Sequence, residues 1–124
     1  MSKPTEIRVS KDKRLLKIAF DKGDAFELEA ELLRVRSPSA EVQGHSPEQR
    51  VLMFGKRDVE IMTIEPIGNY AIKIGFDDLH NTGIFMWEFL AELGANKQER
   101  WAEYEQELLD AGKSRDANSS AKIG

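Results

Sequence analysis

Short runs of alternating apolar and polar residues fill the first part of the chain. Thr5, Ile7 and Val9 place β-branched side chains at every second position, so a strand is expected over 5–10, ended by the polar turn Lys11-Asp12-Lys13. Leu16, Ile18 and Phe20 alternate with Lys17 and Ala19 and lead into Asp21-Lys22-Gly23-Asp24, where Gly23 can take the positive φ of a tight turn. This pattern predicts a hairpin, with Phe26 and Leu28 facing inward from the return strand. Residues 29–35, with Leu32 and Leu33, read as a short helix.

Residues 36–56 change character, because Pro38, Gly44, Pro47 and Gly55 punctuate a polar run, so a long loop is expected there. Alternation resumes at Val59, Ile61 and Thr63, with Pro66 expected to end that strand before a Gly68-Asn69 turn. Tyr70, Ile72, Ile74 and Phe76 fall on one face of the next strand, and residues 77–81 form a turn before a return segment at Ile84 and Phe85. Trp87, Phe89, Leu90 and Leu93 then give a helix an apolar face, with Gly94 as its expected stop. A second helix over 97–111 is expected from Trp101, Tyr104 and Leu108, with Asn96 and Glu99 in capping-box positions.

One pattern occurs twice: Leu16-Lys17-Ile18-Ala19-Phe20-Asp21 recurs as Ile72-Lys73-Ile74-Gly75-Phe76-Asp77, each followed by an acidic turn, an aromatic return segment and an apolar helix. Generic hairpins share part of this pattern, but its order suggests a duplicated strand-turn-strand-helix unit. Neither copy could bury its apolar face alone, so the expected fold is α+β: one small antiparallel β-sheet shared by both copies, helices on one side, and a C-terminal helix. A single domain is expected over 1–111, with a core at about 6–94. The polar residues 112–124 have nothing to bury and are expected to be a disordered tail.

Composition narrows the chemistry. The chain has 124 residues, a 40% apolar fraction and no cysteine, which suits one globular core and excludes disulfides and thiolate chemistry by its own side chains. The first ten residues lack an apolar leader and no run is long enough to span a bilayer, so a cytoplasmic protein with no membrane association is expected. Net charge is −4, with basic residues early and acidic ones in the last helix. The basic residues are not interleaved with stacking aromatics, which argues against nucleic acid as a partner.

No nucleophile elbow, P-loop or dinucleotide fingerprint is present. Asp77, Asp78 and His80 form an acidic cluster beside an imidazole, suited to holding a metal or orienting a base, and His45 is the natural further ligand. A hydrogen-bonding turn histidine is the simpler reading. Lys56 and Arg57, beside Asp58, could grip an anion, or simply lead into a strand in solvent. Ser37, Glu41 and His45 lie in a loop of small and turn-forming residues that suits recognition.

Several of these stretches resemble one family in their order: Leu32-Leu33-Arg34 and the small-residue loop, Gly55-Lys56-Arg57-Asp58-Val59, Gly68-Asn69-Tyr70-Ala71, and Phe76 to Gly83 followed by Trp87. Together they resemble the gamma-butyrobetaine hydroxylase-like N-terminal domain in its stand-alone bacterial form, over about residues 6–94. The resemblance implies a small β-rich module that, in the hydroxylases, precedes the oxygenase domain and holds zinc through three cysteines and a histidine. Those cysteines fall on Ser37, Ser39 and Val42 here, and the histidine on His80. Leu79 stands where a glycine is usual.

Three of the four ligands are thus replaced, so no zinc cofactor is expected, and iron is left without a supporting residue. Similar modules fused to P-loop iron–sulphur carriers imply an accessory role in iron or iron–sulphur metabolism. The expected function is a non-enzymatic protein-interaction module with an unidentified protein partner, docking through Ser37, Glu41, His45, Lys56, Arg57 and Asp58. The alternative is a metal-binding protein using His80, His45 and nearby carboxylates. Trp101 and Tyr104 are expected to pack on the core or to support a homodimer.

Overall fold

Six strands and four helices follow one another in the computed structural model, which describes residues 3–116: β1 (Pro4–Val9), β2 (Leu15–Phe20), β3 (Ala25–Glu29), α1 (Ala30–Val35), α2 (Ala40–Gln43), β4 (Ile61–Ile67), β5 (Ala71–Phe76), β6 (Gly83–Met86), α3 (Trp87–Ala95) and α4 (Lys97–Ala111). The architecture is α+β, and the repeated unit is real: each copy ends in a strand that runs straight into a helix, β3 into α1 and β6 into α3.

The expected single sheet is corrected to two antiparallel sheets of three strands, ordered β1-β2-β3 and β4-β5-β6. The edges that lie side by side, across a shared groove, are β1 and β4. Each carries a proline, Pro4 and Pro66, and a register irregularity, at Pro4/Glu6 and Ile61/Thr63, so neither edge offers an unbroken row of donors. A backbone bond from Ile61 N–H to the Lys13 carbonyl (2.8 Å) ties the sheets at one end. The two sheets still share one core, in which Leu16, Ile18 and Leu28 meet Ile72, Ile74, Phe85 and Leu90.

Several boundaries move for physical reasons. Pro66 lies within β4 opposite Ile72, because an end strand has no ladder partner on its outer side to miss a proline N–H. Tyr70 stays outside β5 and is exposed, since its backbone serves the turn and accepts the Trp87 N–H. Helix α3 passes through Gly94, where Phe26 presses so closely on the backbone that a Cβ would meet its ring at 2.3 Å. Asn96 caps α4 without a side-chain cap bond, because its amide turns back to the Glu92 carbonyl (3.1 Å). The expected loop is partly helical, with α2 and a 3-10 turn at Pro47–Gln49.

The tail expectation fails for residues 112–116, while 117–124 lie outside the described residues. Gly112 ends α4 in the left-handed conformation, and the chain then runs beside residues 55–57: Gly55 N–H donates to Ser114 O and Arg57 N–H to Arg115 O, each at 2.9 Å. Arg115 forks onto buried Glu31 at 2.7 and 2.9 Å and lies over the Trp101 ring. Arg115→Ala leaves the Glu31 carboxylate buried without its partner and is expected to cost about 2–4 kcal/mol in urea unfolding. A change under about 0.5 kcal/mol would show that the segment contributes nothing to the fold.

Candidate functional site

The segment after α1 and the β5–β6 turn meet at the positions where the resemblance places a metal. Arg36 leaves helical geometry, and the chain turns so that Ser37 is fully buried and Ser39 nearly so. Ser39 caps α2 by accepting Glu41 N–H (3.1 Å), which aims Glu41 toward the turn and sets Val42 in the interior. Opposite, Asp78 accepts the His80 N–H (3.2 Å) and shapes the turn that carries the imidazole inward. Gly83 completes the fit, because a Cβ there would come within 2.4 Å of Ser37 Oγ.

His80 is bonded at both ring nitrogens. Its Nδ1 lies 2.9 Å from Glu41 Oε1 and its Nε2 2.9 Å from Ser37 Oγ. An ionised carboxylate only accepts, so Nδ1 carries the proton and Nε2 accepts from the Ser37 hydroxyl, whose oxygen in turn accepts Ser39 N–H at 3.3 Å. Burial, and next the Arg34 guanidinium, push the His80 pKa down, outweighing Glu41 and Asp78. The neutral ring that this hydrogen-bond pattern needs is the favoured one. Ser39 Oγ pairs with Thr82 Oγ1 at 2.6 Å and Gln43 Nε2 donates to Ser37 O at 2.9 Å, closing the patch.

Asp78 forms the second layer. Burial acts to raise its carboxyl, but Lys56 (2.6 Å) and then Arg34 (2.7 Å) outweigh that and hold it below the usual carboxylate range. Asp77, its neighbour, is exposed and accepts Glu60 N–H (3.0 Å).

The order Ser37–His80–Glu41 is that of a hydrolase triad, which the sequence reading did not assemble because Glu41 and His80 are distant in the chain. Its chemistry differs from a triad's, since Ser37 Oγ is sealed beneath Gly83 and the Ser39 backbone, leaving no path for an acyl carbon. Zinc does not fit either. The facing groups are two neutral hydroxyls and an isopropyl, and both histidine nitrogens are spent on other bonds. His45 is exposed, with its N–H on Gln49 Oε1 (2.8 Å), outside the His80 network. Among the described residues no group of three or more His, Cys, Asp or Glu could hold a metal ion.

The expected docking residues divide. Ser37 is corrected from surface to interior, because it supplies the hydroxyl that His80 requires. Glu41 is held by His80, Lys56 by Asp78, Arg57 by Asp116 and Asp58 by Arg14, so Lys56 and Arg57 do not form a joint anion grip. Trp101 and Tyr104 pack inward: Tyr104 is buried and donates its hydroxyl to Met53 O (2.9 Å), and burial followed by the Glu31 charge raises its pKa to about 12.

Leu79, in place of the usual glycine, takes φ 74° and holds its side chain 89% exposed. The left-handed region costs a non-glycine residue about 1–2 kcal/mol, of which glycine's greater unfolded-state freedom returns part. Leu79→Gly is therefore expected to stabilise the protein by about 0.5–1 kcal/mol, seen as a higher urea midpoint. A lower midpoint would mean that Leu79 makes a stabilising contact.

A depressed histidine pKa contributes stability that is complete above the ordinary value of 6.5 and lost as pH falls through the folded value. Unfolding free energy should decline between about pH 7 and pH 5, and the decline should flatten in His80→Gln. Equal slopes in the two proteins would rule out His80 as the titrating group. Asp78 adds its own loss only below its ordinary value of 3.8.

The pattern of the family described as gamma-butyrobetaine hydroxylase-like, N-terminal, matches residues 7–91. Two proteins with solution NMR structures are similar throughout: one shares 45% identity over 100% of this chain and 97% of its own, at a TM-score of 0.82. The other shares 44% over 93% and 86%, at 0.80. A crystal structure from Acidithiobacillus ferrooxidans, of a DUF971-family protein of unknown function, is 35% identical over 75% of this chain and 93% of that one, with a TM-score of 0.62. No curated protein matches the sequence. The family match spans well over half of the chain, which therefore belongs to the gamma-butyrobetaine hydroxylase-like N-terminal domain family.

Proposed function

We propose that this chain is a non-enzymatic accessory module that works by binding another protein through the segment 38–58 and the neighbouring 77–80 turn. The observation that carries this reading is the pairing of a buried tie with exposed apolar side chains. The Ser37–His80–Glu41 bonds hold these segments in one conformation, while Val51 and Phe54 are each 48% exposed and Leu79 stands in solvent. A surface ordered in advance loses little entropy on association, and large apolar groups on such a frame are the usual anchors of an interface.

The reactive groups of the site are turned inward and bonded to one another, which supports binding over catalysis. A protein that handles iron or iron–sulphur clusters is the first partner to test, on the strength of the family's fusions. A metal-binding role would require His80 to give up the bond from Ser37 at Nε2, and among the described residues it would find no second ligand there.

Affinity capture from native lysate should retain a specific partner on the wild-type chain and lose it with Val51→Asp/Phe54→Asp, two exposed positions whose change leaves the core intact. Failure to retain any specific partner, or equal retention by the double variant, would overturn the docking surface. Elemental analysis run in parallel is expected to find no stoichiometric metal. Stoichiometric zinc or iron lost in His80→Gln would replace the proposal with the metal-binding reading.

A further inference from the structure

A groove of about 650 Å³ lies between the two sheets, away from the His80 site, and is walled by their end strands. Ile7 and Val9 of β1 form one side, Ile61 and Ile64 of β4 the other, and Ile72 and Trp87 also line it. The volume falls in the range of small-molecule sites, and the lining is mostly apolar. Charge is confined to the β1–β2 turn, where Lys11 and Lys13 reach the groove beside the Ile61–Lys13 backbone tie.

Neither of these lysines is among the ion-paired ones, which in the described residues are Lys17, Lys56, Lys73 and Lys97. Among the described residues no carboxylate lines the groove. Asp12, in the same turn, directs one oxygen to Ser10 Oγ (2.6 Å) and Arg14 N–H (3.1 Å), and so serves the turn itself. An apolar trough with two unpaired cations at its tied end complements an elongated apolar body with an anionic head.

We infer that this groove binds a free, single-chain apolar carboxylate of the medium-chain fatty-acid class, its hydrocarbon lying between β1 and β4 and its carboxylate at Lys11 and Lys13. A peptide strand fits less well. It would need a continuous row of backbone donors and acceptors from one edge, and both edges are interrupted by a proline and a register irregularity. A hydrocarbon chain asks for no backbone bonds and gains from the apolar walls alone.

The test is a two-dimensional amide NMR titration of the full chain with sodium decanoate below its micelle concentration, with 1-decanol and the peptide acetyl-Asp-Val-Thr-Val-Thr-amide as comparison ligands. Saturable shifts confined to β1, the 10–14 turn and β4 are expected for decanoate, with binding about tenfold weaker in Lys11→Glu/Lys13→Glu. Met62→Glu, an exposed change in the groove wall, should weaken decanoate without disturbing the spectrum elsewhere. The inference is overturned by absent or scattered shifts, by decanol binding as tightly as decanoate, or by charge reversal without effect. Stronger binding of the peptide would assign the groove to a partner strand, and the same shifts on concentrating the protein alone would assign it to a second copy. Each of these last two results also rejects the fatty-acid class.

Discussion

A single imidazole, satisfied on both sides and kept neutral, ties the segment after α1 to the β5–β6 turn beside the apolar core that both sheets share. The segment 36–60 that links the repeated units is long and mostly irregular, and the two sheets are joined at their edges by the Ile61–Lys13 backbone bond at one end. Ser37 and Glu41 reach across from the first half to His80 in the second, and the neutral ring can donate at one nitrogen while accepting at the other. A buried polar group is costly when left unpaired, so each member of this chain of bonds depends on the rest.

Charge supports that tie from the next shell outward. Arg34 and Lys56 converge on Asp78, whose other oxygen fixes the His80 backbone, so the end of α1 and the segment before β4 are drawn to the same turn. At the other side Glu31 and Arg115 bind α1 to the chain beyond α4. The irregular linker is thus ordered at defined points by side-chain bonds and by backbone bonds such as those of Gly55 and Arg57 to residues 114 and 115, with regular structure limited to α2 and one 3-10 turn. This division leaves its remaining side chains, Val51 and Phe54 among them, free to face solvent.

The positions to which the family resemblance assigns metal ligands meet in space, yet the forces there are of another kind. Thiolates around a metal hold a site through ionic and covalent bonds, whereas Ser37, Ser39 and His80 hold it through directional hydrogen bonds. Serine preserves the small volume that Gly83 requires, and Val42 fills the interior. Glu41 is the residue that sequence reasoning had placed on the surface for recognition and left unconnected to His80. A carboxylate two residues beyond the N-cap Ser39, with a histidine in a turn elsewhere, was the signal available, and spacing alone could not join them.

What the residues determined by themselves was local: the period-two runs, Gly23 in its turn, the echo between the two hairpins and the apolar stripe of α4 all follow from steric and solvation rules that act over a few neighbours. Tertiary structure decided the rest. Whether two hairpins merge depends on the edges they present to each other, and the adjoining edges β1 and β4 each carry a proline and an irregular register. Whether Gly94 stops a helix, Asn96 caps one or residues 113–116 lie ordered depends on Phe26, Glu92 and Glu31, which no sequence window contains together. The same holds for His80, whose role as a bonded structural group was fixed by a serine and a glutamate that only the folded chain brings within 2.9 Å.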